Sequence, residues 1–283
     1  FGQIKSKYDC LLGANLHPTV PVDRYVLAKR ARIWVNAGGL ITALSHDNLV
    51  SLSPGPPARW RYLICAGKGR WVPLEVTIDM IEDQNTVVIR CERMVSKDVL
   101  FEEVESLYGR SNAERAKAVS PDLIDQIPVS LTLRVDIEDR SFHSETKRNS
   151  GSDHHLAAHT KALSEDVGFV FQPAEDRRLL VSSDRGEFHL ESEWCLGISH
   201  VVEASRGQEG TGDAFSPGWF EVLMTNGKPA HFVVSSELEI STTEAIEGCF
   251  EQSDGRMKQL VRQAGISSED HFGEQLVKAV SAF

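Results

Sequence analysis

The stretch WVPLEVTIDMI (71–81) decides the fold class. Leu74, Val76, Ile78 and Met80 alternate with Glu75, Thr77 and Asp79, the two-residue period of a half-buried strand. Upstream, RYLICA (61–66) reaches it through Gly67-Lys68-Gly69-Arg70, a hairpin signal; downstream, Asp83-Gln84-Asn85 turns the chain into TVVIRCERM (86–94). The same reading extends outward. RIWVN (32–36) and LITAL (40–44) flank Ala37-Gly38-Gly39, and VSLTLRVDI (129–137) sets Leu131, Leu133, Val135 and Ile137 on one face. GFVFQP, RLLVSS, EFHLES and SHVVEAS (199–205) follow as strands, then WFEVLM (219–224) and AHFVVSSELEI (230–240), joined through Asn226-Gly227. Asn-Gly suits the positive-φ turn of a tight hairpin. VSLSPGPPA (50–58), with three prolines, reads as loop, and Gly207–Gly218 as a flexible acidic surface loop or mobile lid. Short strands spaced by about 8–12 residues, with turns between them, predict a mainly β chain built as a large antiparallel β-sandwich or barrel, and exclude a parallel α/β sheet.

Two segments break the strand pattern. Residues 97–118 are charged and helix-prone and read as a helical insertion. From 241 the period becomes helical, with Thr242 or Thr243 as cap and acidic residues in the first turn. The expected organisation is a β-domain over 1–240 and a helical tail over 241–283, whose last helix reads as cut off at Phe283.

The chain has 283 residues, with 30 Lys plus Arg against 41 Asp plus Glu, a formal charge of −11. Such a surface repels phosphate backbones and anionic lipid, so neither nucleic acid nor a membrane is expected as a partner. No run of about 20 apolar residues occurs, and the N-terminus has no signal-peptide pattern. The chain lacks an initial Met and reads as continuing upstream. Five cysteines occur without a CxxC pair; reduced thiols and a cytoplasmic location are the expectation.

Candidate chemistry falls in four places. Asp153, His154, His155 and His159 make the best metal candidate, since His155 and His159 would share a helix face. The ligand set is incomplete, however, and TKRNSGSDHH (146–155) reads as a polar loop, so no metal or other cofactor is expected. VDIEDRSFHSE (135–145) is dense in charge: Asp136, Glu138, Asp139 and Glu145 beside Arg140 and His143. Paired carboxylates with a histidine can do acid–base work, whereas a solvated strand end is the commoner outcome for such a stretch. Of five tryptophans, Trp60 and Trp219 follow Pro- and Gly-rich loops and read as exposed rings able to stack on a sugar. No glycine-rich loop precedes a helix, so no phosphate cradle is indicated.

KYDCLLGA (7–14), LEVTIDMIEDQNTVVIR (74–90), LRVDIEDRSFHSET (133–146), FSPGWFEVLM (215–224) and EQLVKAVSAF (274–283), in this order, resemble the N-terminal domain of bacterial and archaeal glycogen debranching enzymes of the amylo-α-1,6-glucosidase type. The resemblance implies a supersandwich of the galactose-mutarotase-like kind preceding an (α/α)6 catalytic barrel, with the last helix leading into it. Asp9 stands where that family tends to carry His. A twelve-helix barrel needs roughly 200 residues, whereas 283 − 240 = 43 follow Ile240. The hydrolytic carboxylates are therefore expected outside this chain, and no catalytic residue is assigned within it. The implied role is an accessory domain that packs on the barrel and contacts branched α-glucan, with Arg140, His143, Asp139, Trp60 and Trp219 as the contacting candidates. The alternative is a mutarotase-like aldose epimerase acting on free sugars, using His143 with Glu145 or His189 with Glu191 as i, i+2 pairs of a strand.

Overall fold

Alternating apolar residues build two antiparallel eight-stranded sheets in the computed structural model, which describes residues 3–17, 23–99, 101–238, 241–267 and 269–280. In chain order the strands are β1 Leu12–Asn15, β2 Arg24–Ala37, β3 Leu40–Ala43, β4 Leu49–Ser53, β5 Ala58–Cys65, β6 Trp71–Met80, β7 Thr86–Arg93 and β8 Val129–Ser141. They continue as β9 Thr160–Ala162, β10 Val167–Ala174, β11 Arg177–Ser183, β12 Glu187–His189, β13 Glu193–Ser199, β14 Thr211–Ser216, β15 Trp219–Leu223 and β16 Ala230–Ser235. The helices are α1 Phe101–Tyr108, α2 Arg110–Lys117, α3 Pro121–Asp125, α4 Ser150–Ala158, α5 Val201–Ser205, α6 Thr243–Gln263 and α7 His271–Val280. Residues 239–240 and 281–283, the ends of the expected last strand and last helix, lie outside the described residues.

The first sheet runs β1-β2-β8-β14-β13, with β15 also on β8, β12 on β15 and β3 on β2; the second runs β4-β5-β6-β7-β16-β11-β10-β9. One core fills the space between them. Ile33, Val35, Leu131, Leu133, Val135 and Phe220 of the first sheet meet Ile64, Leu74, Ile89, Phe171, Val181 and Phe232 of the second. The mainly β sandwich expected from the strand period is therefore found.

The outer face of the second sheet is partly covered by helices. Trp71 and Leu63 lie beneath α1 and α2, where Val104 and Ala113 complete a small apolar cluster and the Tyr108 hydroxyl donates to the Leu63 carbonyl at 2.7 Å. α6 lays Cys249 and Phe250 on Val88 and is tied down by an Arg59–Asp254 ion pair at 2.5 Å. Burial pushes the Cys249 thiol up to about 12, and all five cysteines are free.

Several local expectations change. Of residues 50–58 only the prolyl turn after Ser53 is loop, because β4 pairs with β5 through Leu49↔Tyr62 and Leu52↔Trp60. Residues 199–205 are not a strand: β13 ends at Ser199 and α5 follows, despite its two valines. Tertiary contact overrides β-propensity there, since Glu203 of α5 accepts from Ser6 Oγ at 2.7 Å and Lys7 N at 3.1 Å. The segment expected to be a mobile loop contains β14, with Gly212, Ala214, Phe215 and Ser216 buried. The polar loop at 146–155 gives way to α4, started by an Asn149–Ser152 capping box.

Candidate functional site

β8 is the strand on which the candidate chemistry rests. It pairs with β2 along its length, with β15 over Ser130–Leu133 and with β14 at Ile137↔Phe215. Its odd-numbered residues from Val129 to Ile137 enter the core, so Thr132, Arg134, Asp136, Glu138 and Arg140 lie on the outer face of the first sheet.

Asp136 and Glu138 are not a solvated strand end, as their polarity suggested: they are 0% and 1% exposed. Asp136 accepts from Arg30 Nε at 2.8 Å and from Arg32 Nη2 at 2.7 Å, two residues apart on β2. Arg32 also reaches Glu193 of β13 at 2.6 Å, and Arg134 lies 3.7 Å from the same carboxylate. Burial works against the Arg32 charge, but its bonds to Asp136 and Glu193 outweigh burial and raise its pKa. Arg30 Nη2 donates to Cys195 Sγ at 2.7 Å.

Further along, Arg140 is used up internally. Nε donates to Glu138 at 2.8 Å, Nη1 to the carbonyls of Phe142 and Ser144 at 3.0 and 3.1 Å, and Nη2 to that of Lys7 at 2.6 Å. Lys29, 1% exposed, donates to the same Lys7 carbonyl at 2.8 Å. Burial raises the Glu138 pKa, against the opposing charges of Arg140 and Lys29. The group pins residues 6–7 across the sheet.

The five contacting candidates do not form one site. Asp139 turns to the sandwich end, between His155 Nε2 at 2.9 Å and Arg177 Nε at 3.0 Å. His143 is exposed, with Nδ1 3.2 Å from the Tyr8 hydroxyl, in a depression of about 330 Å³ shared with Asp23, Arg24 and Phe142. Trp60 is not an exposed platform: it is half-buried and packs on the core. Trp219 does lie on the outer face of the first sheet. His189 stacks on it at 4.0 Å between ring centroids, and its indole N–H donates to Glu191 at 3.4 Å.

The i, i+2 argument for acid–base pairs fails at both places, because β8 ends at Ser141 and β12 at His189. Glu145 turns away toward Lys7 at 3.5 Å and His200 at 3.6 Å. In the histidine cluster, His155 is held by Asp139, the His159 ring bonds the His155 carbonyl at 2.7 Å and Asp153 pairs with Arg148 at 3.2 Å. Among the described residues no three such groups converge as metal ligands.

Sequence reasoning missed Arg30, Arg32, Lys29, Glu193 and His200. A signal existed for two of them: Arg30 and Arg32 alternate with Ala31 and Ile33 in KRARIW, so one apolar face implies a cationic one. Trp34 continues that row, with Arg32 5.3 Å over its ring. Together with Trp219, Glu221 and Leu223 of β15 these residues make a broad face mixing rings and charges, on which Leu223 is 68% exposed.

Residues 108–231 match the family model for the glycogen debranching enzyme N-terminal domain. The resemblance read from the motifs is thereby found again in the segment that holds β8 through β15, which is less than half of the chain. Among curated proteins none matches. A solved structure, a bacterial glucoamylase complexed with acarbose, superposes on 90% of this chain with 8% identity and a TM-score of 0.38. The chain spans about a third of that protein, 34% of its length. A likeness that slight leaves the fold description resting on the strands themselves. No helix among the described residues is long and apolar enough to cross a membrane.

Proposed function

We propose that this chain is the N-terminal domain of a glycogen debranching enzyme and serves there as a non-catalytic accessory sandwich. In this reading it packs on a catalytic barrel of the same polypeptide and helps to wall a site for branched α-glucan. The observation that carries the reading is a coincidence of segments. The matched residues 108–231 contain β8, β12, β13 and β15, the strands that present Arg134, Glu193, Trp219 and Leu223 on the outer face of the first sheet. A face with an exposed Leu223 and half-buried tryptophans around already paired charges suits a protein interface, because the charges bring their partners with them and need not be stripped bare on docking. Arg140 takes no part in the contact; it holds residues 6–7 from within. The five free thiols support a reducing, cytoplasmic setting.

The test is a pair of substitutions in the polypeptide carrying both domains. Trp219→Ala with Leu223→Arg should lower catalytic efficiency on a limit dextrin by tenfold or more while the isolated chain keeps its thermal midpoint. Wild-type efficiency in the double variant rejects the docking face. Aldose epimerisation by the isolated chain would favour the enzymatic alternative.

A further inference from the structure

The prolyl turn SPGPP (53–57), α6 and α7 enclose a cleft of about 450 Å³ on the second-sheet side of the sandwich, away from the outer face of the first. Its size falls among small-molecule sites, which span about 300–1,000 Å³. Pro54, Pro56 and Pro57 form one wall, and Met257 and Val261 of α6 another. Proline rings restrict the backbone of the first wall, so it is shaped before any ligand arrives. Gly55 brings that turn close to α7: a Cβ built there would stand 3.7 Å from Lys278 Cδ.

The charges restrict what that ligand is. Two pairs on the rim are internal: Arg59 with Asp254 at 2.5 Å and Lys278 with Glu274 at 2.8 Å. Lys258 and Arg262 are left over, one helical turn apart on α6. Among the described residues neither has a carboxylate partner, and Arg262 spends only its Nε, on the Lys258 carbonyl at 3.2 Å. Cations near a helix C-terminus also answer its carbonyl dipole, but that leaves the Lys258 ammonium and the Arg262 Nη groups exposed and unspent. The cleft therefore carries two uncompensated positive charges on a chain of formal charge −11. A dianion matches it, and a guanidinium beside an ammonium suits phosphate oxygens. The proline, methionine and valine walls suit a flat apolar ring, whereas the hydroxyls of a sugar would face hydrocarbon there.

We propose that this cleft binds a phosphomonoester with a flat apolar ring, of the nucleoside monophosphate class. Lys258 and Arg262 hold its phosphate, and the base lies between the prolyl turn and Met257 and Val261. The site is separate from the accessory role and does not rest on it. Calorimetric titration of the chain with AMP, adenosine, inorganic phosphate and glucose 6-phosphate separates ring from charge. AMP is expected to bind, and each of the other three at least about tenfold more weakly. Binding of glucose 6-phosphate as tight as that of AMP would deny the apolar walls their part and overturn the proposal.

Lys258→Gln and Arg262→Gln each remove one charge from an exposed position, and each should weaken AMP binding by about tenfold or more while the thermal midpoint is kept. Lys161→Gln, at an equally exposed lysine on β9 at the far edge of the second sheet, should leave it unchanged. An AMP soak of wild-type crystals provides a readout independent of folding in the variants, with density expected between the prolyl turn and α6. No AMP binding, binding indifferent to both α6 variants, or density only elsewhere overturns the proposal. None of these outcomes touches the docking face, whose test is the double variant on β15.

Discussion

Asp136 shows how a residue chosen for its charge becomes part of the interior. Two β2 arginines one strand over, at 2.8 and 2.7 Å, replace the water it gives up. Removing one member of a buried ion group leaves the others uncompensated, at a cost of about 3–5 kcal/mol. Arg30 and Arg32 keep side-chain exposures of 23% and 18%, which places Asp136→Ala near the lower end. Urea unfolding at pH 7 should show a loss of about 3 kcal/mol; a loss under about 1 kcal/mol would make the cluster a solvated one. Arg140 carries the complementary lesson. The sequence marked it as a contact for sugar or a partner, whereas its bonds run to Glu138 and three carbonyls of its own chain. Arg140→Ala should therefore lower stability rather than act only on the parent's activity.

His200 supplies a pH dependence. Burial, and then the Lys29 charge, lower its pKa to about 4, while Glu203 opposes them. Unfolded, the ring titrates near 6.5. Between these values the unfolded state holds the extra proton, so stability rises with pH from about 4 and its His200 contribution is complete above about 6.5. The limiting slope for one proton is about 1.4 kcal/mol per pH unit. His200→Asn should flatten that part of the stability–pH curve, and an unchanged slope would assign the dependence to other groups.

At the scale of elements, what the sequence shows is the inside of the sandwich. Leu74, Val76, Leu131, Leu133 and Val135 alternate, and each lies in the core. The outer faces were less legible because polarity there does not distinguish water from another side chain. Asp136 and Glu138 look solvated until the β2–β8 register sets Arg30 opposite Asp136. β14 was hidden for a related reason: glycines suggest loop, yet Gly212 sits where a Cβ would come within 2.7 Å of the His200 ring. α5 could not be seen in its valines, since Ser6 and Lys7 fix it from nearly two hundred residues away. Gly186, in the turn before β12, gives an element-scale prediction. Its φ is +89° and an added Cβ would stand 2.2 Å from the Glu221 carbonyl. Gly186→Ala should cost about 2 kcal/mol or more by displacing β12 from β15, read as a lower thermal midpoint together with loss of the His189–Trp219 stack from tryptophan fluorescence. An unchanged midpoint would mean that the turn accommodates a side chain.

The whole molecule is asymmetric in what covers it. α1, α2 and α6 pack against the outer face of the second sheet, while on the first sheet Trp34, Trp219 and Leu223 keep contact with solvent. The proposed role follows from that difference: the sandwich uses one face to complete itself and offers the other to a catalytic domain. The isolated chain should then release no glucose from a limit dextrin. Hydroxyl-radical footprinting tests the central claim most directly, by comparing side-chain oxidation in the isolated chain and in the polypeptide carrying the catalytic domain. The account predicts that Trp34, Trp219 and Leu223 are oxidised in the isolated chain and protected in the longer one, while exposed Ile41 reacts equally in both. Equal oxidation of Trp219 and Leu223 in the two polypeptides would contradict it.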